Sequence, residues 1–166
     1  MREPLWGPRP LPRLGVDAFV VGRWEPRSPS DLTLGRTELG TAVHRRGALD
    51  GDDSGVEEGA ERLLLAYEEL ASNALRHGSA PVGVAVFSFH GSWLLDVSDA
   101  AGDRPPTLAV DRDPAQGGLG LYLVARISAG HGWWAAAGRK SVWAWIDGTG
   151  VPAPTARDAA EFRAPT

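Results

Sequence analysis

The stretch EELASNALRHG, residues 68–78, carries two superimposed patterns. Leu70, Ala71 and Ala74 continue an apolar period that begins at Val56 and runs through Ala60, Leu63, Leu64 and Tyr67. That spacing predicts a helix buried along one side, closed by Gly78. On the same helix Glu69, Asn73 and His77 recur every fourth residue. Each such step turns a helix by only about 40°, so a carboxylate, a carboxamide and an imidazole line up as one polar stripe beside the apolar one. A solvated face is the ordinary meaning of such residues, and a surface that converges on a ligand is the other.

Upstream, Ser54 and Glu57 form a Ser-x-x-Glu capping box that should start this helix, after a loop GALDGDDSG. Before the loop, SPSDLTLGRTELGTAVHRRG offers Ser30 and Asp31 as caps and spaces Leu32, Leu39 and Val43 helically, which predicts a first helix over 31–46 that stops at Gly47. RLGVDAFVVGRWE is apolar and β-branched enough for a strand. Residues 1–13, rich in Pro and Arg, are expected to be irregular.

Downstream, PVGVAVFSFHGSWLLDVSDAAG alternates Val82, Val84 and Val86, turns at His90 and Gly91, and alternates again through Trp93, Leu95, Val97 and Asp99. This is an antiparallel hairpin whose second strand puts Asp99 at an inward position. A buried carboxylate is costly unless something donates to it, so Asp99 requires a partner or else only begins the turn DAAGD.

After a Pro- and Asp-rich loop, GGLGLYLVARISAGHG spaces Leu119, Leu123, Val124 and Ile127 helically, with Gly130 as the expected cap. Gly117, Gly118 and Gly120 would leave backbone N–H groups open at that helix start, where the macrodipole favours an anion; a flexible hinge is the competing reading. GWWAAAG and KSVWAWID then read as two strands around Gly138–Arg139, and the tail from residue 148 as disordered. Neither Gly-x-Gly-x-x-Gly nor a P-loop is present.

Composition limits what these features can mean. The chain has 166 residues, 43% of them hydrophobic, which is enough for one domain, expected over 14–147. A net charge of -4 is unlike a nucleic-acid surface, and the absence of cysteine removes disulfides, thiolate ligands and thiol nucleophiles. No apolar run reaches membrane-span length and no signal peptide is recognisable, so a cytoplasmic protein without membrane contact is expected. Sixteen arginines stand against one lysine, a bias from which no function is read.

Taken in order, the Glu-x-x-x-Asn helix, the strand ending in Asp, the loop and the Gly-x-Gly helix start resemble the GHKL ATP-binding superfamily. ELASNALRHG, VSD and GGLGLYLV are most similar to segments of the stand-alone anti-sigma-factor serine/threonine kinases, and the resemblance spans about residues 28–146. It implies a two-layer α/β sandwich with a mixed, mostly antiparallel sheet and helices on one face. It also implies ATP and Mg²⁺ as ligands. Asn73 would hold the metal, Glu69 would act as general base, and Asp99 would accept from the adenine amino group. Gly102 would let backbone approach the base, while Gly118, Leu119, Gly120 and Leu121 would form the phosphate-binding helix start, with His77 as a further phosphate contact. Where the family has Asp-x-Gly-x-Gly, this chain has DAAGD, and its lid is short and holds Pro105, Pro106 and Pro114. The activity implied is transfer of the γ-phosphoryl group to a Ser or Thr of an antagonist protein, with a sigma factor as a further partner and a possible homodimer. The alternatives are a nucleotide-binding interaction module without turnover, or a slow ATPase.

Overall fold

The computed structural model describes residues 5–50, 53–106 and 119–148, excepting the side chains of 48–50, 53 and 54. The elements run in the order β1 (Phe19–Trp24), α1 (Pro29–Asp50), α2 (Asp53–His77), β2 (Gly83–Phe89), β3 (Ser92–Asp99), α3 (Gly120–Ile127), β4 (Gly130–Ala136) and β5 (Arg139–Ile146). The five strands form one sheet in the order β1-β2-β3-β5-β4. Among the described residues every strand pair is antiparallel, which corrects the expected mixed sheet, and the one parallel element is an isolated bridge, Pro8 to Trp133. No helix among the described residues is long and apolar enough to cross a membrane.

Alternation along the strands divides the sheet into two faces. Val84 and Val86 of β2, Trp93, Leu95 and Val97 of β3, and Val142, Ala144 and Ile146 of β5 turn to the helices and join Leu39, Leu63, Tyr67, Leu70, Leu121 and Val124 in the main core. Pairing in the β2–β3 hairpin is regular from Gly83 opposite Ser98 to Phe89 opposite Ser92. Its turn places His90 and Gly91 at φ 48° and 77°, the primed geometry that matches strand twist. The β4–β5 turn repeats this with Ala137 and Gly138 at φ 52° and 76°, one residue before the expected position.

Sequence expectations change at each of the three described helices. The first helix starts two residues early because Ser28 is the cap: its Oγ accepts from the Asp31 N–H at 3.2 Å, and Asp31 Oδ2 accepts from the Arg27 N–H at 2.8 Å. Pro29 then takes the first helical position, where a missing N–H costs nothing. Gly47 does not stop α1. It is buried, and a Cβ there would lie 3.0 Å from Val56 Cγ1, so the glycine lets the two helices approach. Similarly, α2 begins at Asp53, just ahead of Ser54, whose side chain lies outside the described residues. In α3 the buried residues are Leu121 and Val124; Leu119 is 55% exposed and Gly130 starts β4, so Ser128 rather than Gly130 caps the helix.

The opposite face of the sheet is also covered. Leu94, Trp143 and Trp145 are 0–5% exposed beneath Leu11 and Leu14 of the N-terminal segment, flanked by Phe87 and Phe89. Residues 5–18 contain no helix or strand apart from the Pro8 bridge, as the Pro- and Arg-rich text implies, yet they form an ordered strap. Of the seven tryptophans, Trp6, Trp93, Trp143 and Trp145 are buried.

Asp96 lies on this covered face, opposite Ala85 and Trp143, and its Oδ1 is buried without a hydrogen-bond partner. Burial pushes its carboxyl above the ordinary 3.8, with Ser141, Arg23 and Arg139 pulling partly back. A folded value above the unfolded one means that stability falls as pH rises from about 3.8 through the raised value. Asp96→Asn is therefore expected to stabilise the protein at pH 7 by on the order of 1 kcal/mol, with the gain shrinking towards pH 4. Thermal melts at the two pH values test this, and a destabilised variant at pH 7 refutes it.

Candidate functional site

The polar stripe of α2 meets the start of α3 at Glu69. Glu69 and Asn73 are half-buried and His77 is exposed. The Glu69 carboxylate rests against Gly120, the first residue of α3: a Cβ on Gly120 would overlap Glu69 Oε2 and come within 3.1 Å of its carboxyl carbon. The missing Cβ lets the Glu69 carboxylate rest against the helix start, so the Gly-x-Gly and Glu-x-x-x-Asn segments meet in space. Leu119, at the N-cap, makes no side-chain capping bond. The N-cap side chain therefore satisfies none of the first-turn donors of α3, and donors left open at a helix start favour an anion.

Leu121 is different from its neighbours. Its side chain is 4% exposed and belongs to the core, so only its backbone can face a ligand, and its carbonyl already accepts from the Trp6 indole at 2.9 Å. Gly118 lies outside the described residues, as do Gly117, Pro114 and the rest of 107–118.

Asp99 sits beneath the end of α2 and is 1% exposed. A Cβ on Gly78 would be 2.6 Å from its carboxyl carbon, which explains why a glycine closes the helix there. The partner that the sequence demands for Asp99 comes from within the chain. Its Oδ1 accepts from the Ala101 N–H at 2.7 Å and, weakly, from the Ser79 N–H at 3.5 Å, while Lys140 Nζ lies 3.3 Å from Oδ2. Lys140 is the one lysine of the chain and is itself 6% exposed. A carboxylate has about four acceptor positions, so these contacts leave about one.

Lys140 is the residue that the sequence reading missed. It stood there only as the first residue of the expected strand KSVWAWID and as the one lysine of the chain. Pairing of β3 with β5 puts Asp99 directly opposite Lys140, a relation visible only once the register is known.

Gly102 supports a close approach, but to protein: a Cβ there would lie 2.7 Å from the Gly138 carbonyl carbon and 3.0 Å from Arg139 N. The DAAGD loop is thereby seated on the β4–β5 turn. It is tied to the end of α2 as well, through Ala100 N–H to Ser79 O at 2.8 Å and Arg104 Nη2 to Ser79 Oγ at 3.0 Å.

A neutral carboxamide oxygen is a donor that a hard cation accepts. Among the described residues no group of three or more His, Cys, Asp or Glu could hold a metal by itself, whereas Asn73 offers one neutral oxygen one turn from Glu69. A separate open groove of about 550 Å³, lined by Arg36, Thr37, Thr41, His44 and Arg45, runs between α1 and α2 and includes none of these residues.

No family model matches the sequence, and no curated protein matches it.

Proposed function

We propose that the chain is an ATP-binding regulatory protein that transfers the γ-phosphoryl group of ATP to a Ser or Thr hydroxyl of an antagonist protein. The observation that carries this reading is the contact of Glu69 with Gly120, which joins a half-buried carboxylate to an uncapped helix start with Asn73 one turn away on the same face. In that arrangement the first-turn N–H groups of α3 hold phosphate oxygens. Asn73 contributes an oxygen to the magnesium ion, which supplies charge neutralisation when bound. Glu69 takes the proton from the attacking hydroxyl as its oxygen bonds to the γ-phosphorus and the bond to the bridging oxygen breaks, releasing ADP. Asp99 keeps its adenine role through its remaining acceptor position. A sigma factor as second partner and a homodimer belong to the same reading.

One observation favours a second reading. Asp99 is satisfied and almost wholly enclosed by its own chain, which fits an interaction module that turns over no ATP.

Titration calorimetry with ATP·Mg²⁺ and a phosphotransfer assay on co-expressed partner proteins separate the two. Glu69→Ala is expected to keep nucleotide binding while transfer falls by about 10²- to 10⁴-fold, the usual worth of a general base. Asp99→Asn, checked for folding by circular dichroism, is expected to lose binding. Binding without labelling of any partner leaves the module reading; a wild type that binds no adenine nucleotide removes both.

A further inference from the structure

The strap reaches the candidate site. Trp6 is 4% exposed within the main core, and its indole N–H donates to the Leu121 carbonyl, one residue beyond the glycine that receives Glu69. His131 braces the same point. Its ring centroid lies 4.7 Å from that of Trp6, and Nε2 is 2.8 Å from the Leu5 carbonyl, which can only accept, so Nε2 carries the proton. From there the strap pairs with the outer edge of β4 through Arg9 N–H to Trp133 O at 2.8 Å. It then turns onto the second face, where Trp143 Nε1 donates to the Arg9 carbonyl at 3.0 Å and Leu11 and Leu14 cover Trp143 and Trp145.

An eight-residue helix is marginal by itself and takes its position from what it packs on. For α3 that support comes from α2, the core and the Trp6 bond to the Leu121 carbonyl. We propose that the N-terminal segment 5–14 is a positioning strap for α3, with Trp6 as its contact, so that docking of the strap and binding of nucleotide at the α3 start reinforce each other. The coupling clause rests on the nucleotide reading above; the positioning clause does not. Reciprocity is a thermodynamic requirement: if the docked strap tightens nucleotide, nucleotide tightens the strap equally.

Amide hydrogen exchange on the full chain tests this with two variants that each delete one indole N–H. Trp6→Phe is expected to speed exchange in α3 about fivefold, the usual worth of one hydrogen bond, and to weaken ATP·Mg²⁺ by a similar factor. Trp143→Phe removes only the bond to the Arg9 carbonyl, leaving Leu11 and Leu14 on the second face and the Trp6–Leu121 bond in place, and is expected to speed α3 exchange less than Trp6→Phe does, by no more than about twofold. ATP·Mg²⁺ added to wild type is expected to slow exchange at the Arg9 amide, which a purely structural Trp6 would not do. Unchanged α3 exchange in Trp6→Phe, or equal acceleration in both variants, overturns the positioning. Faster exchange with unaltered nucleotide affinity overturns the coupling. Failure of wild type to bind nucleotide removes the function proposed above together with the coupling, and the exchange comparison still upholds or overturns the positioning.

Discussion

Lys140→Met is expected to destabilise the protein by about 3–5 kcal/mol, because it strips a buried carboxylate of the cation it pairs with among the described residues. The Asp99 and Lys140 side chains are 2% and 8% exposed, so water cannot replace the lost ammonium. The Ala101 N–H and the weak Ser79 N–H remain, but two neutral donors do not compensate a charge held in that position. The double variant Asp99→Asn/Lys140→Met removes both charges and is expected to recover most of the loss, since a buried pair as a whole contributes little net stability. Urea denaturation at pH 7 measures all three proteins. A single-variant cost below about 1 kcal/mol would show that the pair is solvated, as exposed pairs are.

Trp145→Ala is expected to cost a similar amount, about 3–5 kcal/mol, while Trp134→Ala changes stability by less than about 0.5 kcal/mol. The two side chains lie on the same sheet, and both point away from the helices. They differ in what covers them: Trp145 is fully buried beside Leu94, Trp143 and Phe89, and Trp134 is 48% exposed. The contrast tests the strap directly. In a two-layer protein with a bare outer face, both indoles would be half-solvated and their removal would cost comparable, modest amounts. Equal effects in the same denaturation experiment would refute a covered second face.

The readability of this fold from sequence followed the physical origin of each element. Helix α2 and both hairpins were legible because burial imposes a period, 3.6 along Ala60–Leu63–Tyr67–Leu70 and two along Trp93–Leu95–Val97. The strap imposes none. Its order comes from two indole N–H groups and a few backbone bonds to β4, and such contacts leave no periodic trace in a run of Pro, Arg and Leu. Gly47 misled for a related reason: a glycine that ends a helix and one that lets two helices touch are the same letter, and only the position of Val56 separates them. At the candidate site the polar stripe was legible as a stripe. Its meeting with Gly120 was reachable only through the resemblance, and the Lys140 partner of Asp99 depended on a strand register that no local pattern encodes.

The burial of the one lysine also gives the protein a built-in chemical reporter. An ε-amine enclosed against Asp99 is shielded from acylating reagents and from lysine-specific proteases while the sheet is closed. Modification at that single position then counts the openings of the β3–β5 pairing, and the peptide bond after it becomes cleavable on the same occasions. A time course of acylation would thus follow opening around the Asp99–Lys140 pair with no engineered label.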